Sequence, residues 1–160
     1  MSDEVYCVVE AWLRERPDLD VAPMQVWSRI DRLAAILDGH RRRAFARHEI
    51  EGWEFDVLAA LRRAGAPHRL SPGQLLRETH VTSGTMTNRV DRLVKRGAVT
   101  RQSDPADGRG VLVALTPAGL ALVDAALASL LVLESALLEG WSEDERMGLS
   151  ADLRRLLRDA

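Results

Sequence analysis

Residues 82–96 read Thr-Ser-Gly-Thr-Met-Thr-Asn-Arg-Val-Asp-Arg-Leu-Val-Lys-Arg, with Gly97 directly after them. Met86, Val90, Leu93 and Val94 recur at helical spacing, so the stretch reads as an amphipathic helix that stops at the glycine. Its other face carries Ser83, Gly84, Thr85, Thr87, Asn88, Arg89 and Arg92. Small hydroxyl side chains let a helix N-terminus approach an anion closely, where free amides and the helix dipole favour negative charge. Asn pairs with adenine edges and Arg with guanine edges in a major groove. The competing reading of such a face is a plain solvated surface. What lies on either side of it decides between the two.

Upstream, Ser71-Pro72-Gly73-Gln74 opens a shorter helix. Ser stands at the N-cap, Pro at the first helical position and Gln three residues after the cap. Downstream, Ala98-Val99-Thr100-Arg101 and Val111-Leu112-Val113-Ala114-Leu115 flank a Pro/Asp/Gly segment, which reads as a β-hairpin with a long tip. Arg109 stands between glycines at that tip, an arrangement that suits entry into a minor groove. Asp104 and Asp107 read as groups that bond turn amides or hold Arg109. Two short helices followed at once by a hairpin give a winged helix-turn-helix.

Further out, Val5, Val8, Val9, Trp12 and Leu13 mark an amphipathic helix ended by Arg16-Pro17-Asp18. Val26, Ile30, Leu33, Leu37, His40 and Ala44 mark a second, running to about His48. A third begins near Gly52, turns Trp53, Val57, Leu58 and Leu61 inward, and closes at Gly65-Ala66-Pro67. After the hairpin, Thr116-Pro117 caps a helix carrying Leu120, Val123, Leu127, Leu130, Leu131, Leu137 and Leu138. Gly140 breaks it, and Ser142 with Glu145 forms a capping box for the last helix, with Leu149, Leu153 and Leu156 on one face. The fold class is thus mainly α with a small β-hairpin. Residues 1–51 are N-terminal helices for dimerisation and a possible ligand pocket. Residues 52–119 are the winged helix-turn-helix domain, and residues 120–160 are C-terminal dimerisation helices. The two ends carry more apolar surface than the middle can cover, and a two-fold homodimer is the commonest closed assembly.

Composition narrows the class. The chain has 160 residues, 46% hydrophobic and 29% charged, which suits a folded core. One cysteine, Cys7, excludes an internal disulfide or a multi-Cys zinc site. The acidic N-terminus carries no leader pattern, and the unbroken apolar runs fall short of a membrane span, so a cytoplasmic protein without membrane contact is expected. No Gly-rich phosphate loop, nucleophile elbow or catalytic carboxylate pair is present. Neither an enzyme, nor a metal site, nor a cofactor is expected.

The stretches Val81-Thr-Ser-Gly-Thr-Met-Thr-Asn-Arg-Val-Asp-Arg-Leu93 and Asp104-Pro-Ala-Asp-Gly-Arg-Gly-Val-Leu-Val-Ala-Leu-Thr-Pro-Ala-Gly119 closely resemble the MarR family of transcription regulators. The resemblance implies a homodimeric winged-helix protein, usually a repressor, that binds double-stranded DNA and releases it on binding a small molecule. It places Ser83, Thr85, Thr87, Asn88, Arg89 and Arg92 in the major groove and Arg109 at the wing tip. Gly108 stands where the family often has Arg or Lys, which implies a weaker wing grip.

Trp12, Glu15-Arg-Pro-Asp-Leu-Asp20, Pro23-Met24, Glu54-Phe-Asp-Val-Leu58 and Leu70-Ser-Pro-Gly73 further resemble the urate-responsive branch, the PecS, TamR and HucR type. That branch implies a ligand-response set, here Trp12, Asp56, Arg89 and Arg109. A flat anionic effector would stack on the Trp12 indole and pair with Arg89. Displacing Asp56 would then shift the helix to which Arg89 belongs. Trp12 also reads as an interface aromatic, and Asp56 as a first-turn carboxylate favoured by the helix dipole.

Cys7 among valines reads as a buried structural thiol, with single-cysteine redox sensing as the alternative. His40 on its apolar stripe reads as a satisfied core residue, and Arg41-Arg42-Arg43 as a solvated face or a contact to DNA or an acidic segment. A winged helix that binds only protein would need an apolar or acidic face at 85–92, and that face is neither.

The formal net charge of -2 looks wrong for a DNA reader. Residues 77–109, however, hold seven basic and four acidic residues, a balance of +3. Residues 120–160 hold four basic and eight acidic, a balance of -4. The mean hides a basic head on an acidic body.

Overall fold

A computed structural model describes residues 3–105 and 110–159. Its elements run α1 (Glu4–Glu15), α2 (Met24–Ala46), α3 (Gly52–Arg63), β1 (Arg69–Leu70), α4 (Pro72–Thr79), α5 (Ser83–Lys95), β2 (Val99–Ser103), β3 (Val111–Leu115), α6 (Pro117–Leu137) and α7 (Glu143–Asp159). The chain divides into two compact units, Met1–Arg42 and Arg43–Ala160.

In the first unit, Val5, Val9 and Val21 are buried, with Met24 packed against them. The Asp3 carboxylate caps α1 by accepting from the Tyr6 amide at 2.9 Å, and it also holds Arg29 through two bonds of 2.7 and 2.9 Å. The apolar stripe expected on α2 exists, but Val26, Leu33 and Leu37 are exposed. Periodicity finds an apolar face without saying what covers it. Trp12 and Leu13 are exposed as well. So is Cys7, which corrects the expectation of a buried thiol: it lies on the side of α1 opposite Val5 and Val9. His40 is half-buried, and its Nδ1 is buried without a hydrogen-bond partner, so it is not the satisfied core histidine expected. Of the arginine run, Arg42 is exposed and paired with Asp38, whereas Arg41 is half-buried.

The second unit is built around α3. Phe55, Val57, Leu58, Ala60 and Leu61 are buried, and α3 contacts α4, α5, α6, β1 and β3. Burying each large apolar side chain contributes roughly 1.5–3 kcal/mol. Phe45 stacks on Phe55 with ring centroids 4.4 Å apart. Leu75 of α4, Met86, Val90 and Leu93 of α5, and Val123, Ala126 and Leu130 of α6 complete the core.

The hairpin forms as expected between β2 and β3, with Thr100 opposite Ala114. Its tip, residues 106–109 with Arg109, lies outside the described residues; before it, the Asp104 amide donates to the Gly110 carbonyl at 2.9 Å. A third strand was not foreseen. β1 pairs antiparallel with β3, Leu70 opposite Val113, giving the sheet order β1-β3-β2. Two residues are too few to show a period of two.

The caps follow the sequence closely. Ser71 and Gln74 exchange bonds at the start of α4, and Ser142 and Glu145 do so at α7. Gly97 takes φ +75° to end α5, a backbone region that glycine enters without strain. Thr116 then locks α6 against the turn. Its hydroxyl donates to the Gly97 carbonyl at 2.7 Å and accepts from the Gly119 amide at 2.9 Å.

One expectation about length needs correction. α6 is long and apolar enough to cross a membrane, because Asp124 and Glu134 interrupt its apolar runs without changing its average. Its buried residues Val123, Ala126 and Leu130 belong to the core, and Asp124 pairs with Arg62 of α3 at 2.9 Å. α6 is thus held as a helix of the folded domain.

Gly119 packs directly on the Ala98 carbonyl. A Cβ there would stand 1.9 Å from that oxygen. Gly119→Ala should therefore destabilise the protein by about 3 kcal/mol, read as a lowered midpoint in thermal or urea unfolding. An unchanged midpoint would show that α6 and the turn separate freely.

Candidate nucleic-acid interface

Burial of Met86, Val90 and Leu93 fixes the rotation of α5. Thr85, Asn88, Arg89 and Arg92 lie at i, i+3, i+4 and i+7, so they share its opposite face. Ser83, Thr85, Thr87, Asn88 and Arg92 are exposed and Arg89 is half-buried. The Thr82 and Thr85 hydroxyls are bonded at 2.9 Å, and the Thr87 hydroxyl donates to the Ser83 carbonyl at 3.1 Å. Arg101 of β2 pairs with Asp91 at 2.7 Å, tying the wing strand to the side of α5. Arg96, just past the helix, donates to the His48 carbonyl at 3.3 Å and stands 3.6 Å from the buried Glu54.

This face borders an open cleft of about 560 Å³. Glu51, Trp53, Gly84, Thr85, Asn88, Arg89 and Arg92 line it. Trp53 was expected to point into the core. It is half-buried instead, packed against the core on one side and facing the arginines on the other. The Arg92 guanidinium lies 4.6 Å from its ring centroid and that of Arg89 5.5 Å, both within cation–π range.

Glu51 completes the group and was missed in the sequence. One carboxylate oxygen accepts from the Trp53 indole N–H at 2.7 Å, the other from Arg92 at 2.8 Å. Those two bonds, the indole's first, hold the Glu51 carboxyl below its ordinary pKa. Glu51 is therefore an anion at neutral pH. Among the described residues Arg89 has no carboxylate partner. The only sequence signal for Glu51 was its place one residue before a helix, which any N-cap would share.

Of the expected ligand-response set, Arg89 lines the cleft. Asp56 is exposed on α3 and does not line it. Trp12 is exposed on α1, within the first unit. Arg109 lies outside the described residues. Also among the described residues, no group of three or more His, Cys, Asp or Glu is placed to hold a metal ion.

Comparison with known proteins fits this geometry. A profile of the MarR family matches residues 48–110. The transcriptional regulator PecS of Dickeya dadantii (strain 3937) is 37% identical over 153 residues, covering 96% of this chain and 92% of PecS. The chain belongs to the MarR family. Among solved structures, a mutant E. coli MarR complexed with operator DNA superposes with a TM-score of 0.70 at 26% identity, covering 98% of this chain and 99% of that one. Bordetella bronchiseptica BpsR, whose DNA binding is regulated by 6-hydroxynicotinic acid, gives 0.71 at 27% identity, covering 89% and 99%. The protein is a MarR-family DNA-binding transcriptional regulator with the winged-helix fold, not an enzyme.

Because the indole bond is the first cause of the lowered Glu51 pKa, Trp53→Phe should raise it toward the ordinary glutamate value of about 4.3. A carboxyl-carbon NMR titration reads this directly. A midpoint that does not move would place the cause elsewhere.

Proposed function

We propose that this MarR protein is a homodimeric repressor that reads a pseudo-palindromic operator and is released from it by a small anionic metabolite, urate or a relative of it. The observation that carries the DNA reading is the single face of α5 bearing Thr85, Asn88, Arg89 and Arg92, with Met86, Val90 and Leu93 anchored beneath it. In this reading Ser83, Thr85, Thr87, Asn88, Arg89 and Arg92 enter the major groove and Arg109 an adjacent minor groove. Residues 52–119 are the reading head, and residues 1–51 and 120–160 supply the dimer helices.

Support for the dimer comes from the C-terminal helices. Leu131 and Val132 of α6 and Leu153 and Leu157 of α7 are exposed, Leu157 at 81%. A groove of about 450 Å³ along α7 is lined by Leu149, Leu153 and Leu157 together with Leu138, just past α6, and by Arg146, Ser150 and Arg154. A stripe of that kind on a soluble chain suits a second copy. Two heads would then meet half-sites roughly 34–36 Å apart.

The effector reading rests on the likeness to PecS, on BpsR as a structural relative regulated by an aromatic acid, and on the residues Trp12, Asp56, Arg89 and Arg109. Arg89 belongs to both the DNA set and the ligand set. A ligand that engages Arg89 and displaces Asp56 would shift α5 away from the position that DNA favours, which is the differential affinity that release requires.

Arg89→Ala and Arg92→Ala should each weaken binding to a duplex selected by the protein from a random pool, by about 1–3 kcal/mol if a base edge is read. Two protomers per duplex are expected by sedimentation. Unchanged affinity in both variants would remove α5 from the interface. For the effector, urate titrated into the protein–DNA complex should release the duplex, with Trp12→Phe and Asp56→Asn blunting the release. If neither urate, other purines nor aromatic acids release DNA, the effector reading fails while the DNA reading stands.

A further inference from the structure

The geometry points to Glu51 as an internal competitor for the DNA-reading arginine Arg92, a carboxylate that DNA must displace and that sets how tightly the protein binds. The inference rests on the proposed reading of α5 and deepens it. Arg92 lies on the same helical face as Thr85, Asn88 and Arg89. Unlike Arg89, it is occupied: Glu51 takes its guanidinium at 2.8 Å while the Trp53 ring lies beneath it at 4.6 Å. Glu51 cannot swing away easily, because its other oxygen is held by the Trp53 indole. Both charged side chains remain more than half exposed, at 52% and 59%. The pair is therefore open to competition by phosphate or a base edge. Glu51 is ionised at neutral pH like any ordinary glutamate, and the same two bonds favour its charged form further.

A carboxylate at a DNA-facing surface acts in two ways. It repels an approaching phosphate, and it neutralises an arginine that would otherwise release a counterion on binding. The second effect acts wholly through Arg92. A solvent-exposed ion pair is weak enough for duplex DNA to break. Glu51 then lowers affinity without abolishing binding, and spares the protein from clinging to unselected DNA.

Glu51→Gln tests this directly, since it keeps an acceptor for the indole and removes only the charge. Binding of both the selected and an unselected duplex should tighten about two- to five-fold, the scale of an exposed ion pair. The slope of log K against log salt should steepen by about one, as one more cation becomes free for phosphate. In the Arg92→Ala background, Glu51→Gln should tighten binding distinctly less, because only the repulsion of phosphate is then relieved. Thermal midpoints confirm that each variant is folded, and Glu51→Thr, an uncharged helix-capping residue, repeats the test if the glutamine variant is not. Unchanged or weaker binding by the folded variants would overturn the inference. So would an equal gain without Arg92, because the carboxylate would then act by its own charge. Unchanged affinity in Arg92→Ala alone would also overturn the inference, whereas unchanged affinity in both Arg89→Ala and Arg92→Ala would mean that the reading of α5 fails, so the two failures are distinguishable.

Discussion

The burial of α3 is the constraint on which the second unit depends. Val57, Leu58 and Leu61 have no exposed surface, and the helix touches α4, α5, α6, β1 and β3. A helix packed on that many sides cannot rotate without opening several interfaces at once. It even buries a carboxylate. Glu54 is 5% exposed, stabilised by the Glu51 amide at 2.8 Å and by Arg96 at 3.6 Å. Such a charge is tolerated only with partners. Because Arg96 follows α5 directly, that bond also ties the end of the reading helix to the start of α3.

From that anchor the reading face follows. α5 lays Met86, Val90 and Leu93 on the α3 core and turns its polar face outward. The N-terminus of α3 supplies Glu51 and Trp53 to the edge of the face. Thr116 and Gly119 clamp α6 onto the turn after α5, and Asp91 with Arg101 fixes the first wing strand beside it. Each contact is individually modest. Together they leave the cationic face one arrangement relative to the wing, which is what readout in a groove needs.

Much of this was legible in the sequence because it is local. Caps, the Gly97 stop and the amphipathic period of α5 depend on residues a few positions apart. The MarR motifs cover the same region. What escaped depends on distant partners. β1 is two residues long and exists only because β3 lies beside it. Trp53 shows an apolar period, yet its indole reaches across to arginines some forty residues later in the chain. Glu51 gave only the signal that any N-cap gives, since nothing local predicts that it meets Arg92. The α2 and α6 stripes were visible as periods, but exposure is a property of what packs against them.

The net charge of -2 takes on a different meaning in this structure. The positive balance is concentrated around α5 and the hairpin, and even there one arginine is held by a carboxylate. Affinity for DNA then depends less on total charge than on which arginines are free to meet it.

The most direct test is dimethyl sulfate methylation interference on a selected duplex. Methylation at guanine N7, in the major groove, should block binding in two clusters about one helical turn apart. Interference confined to adenine N3, in the minor groove, would contradict the assignment of α5 as the reading helix.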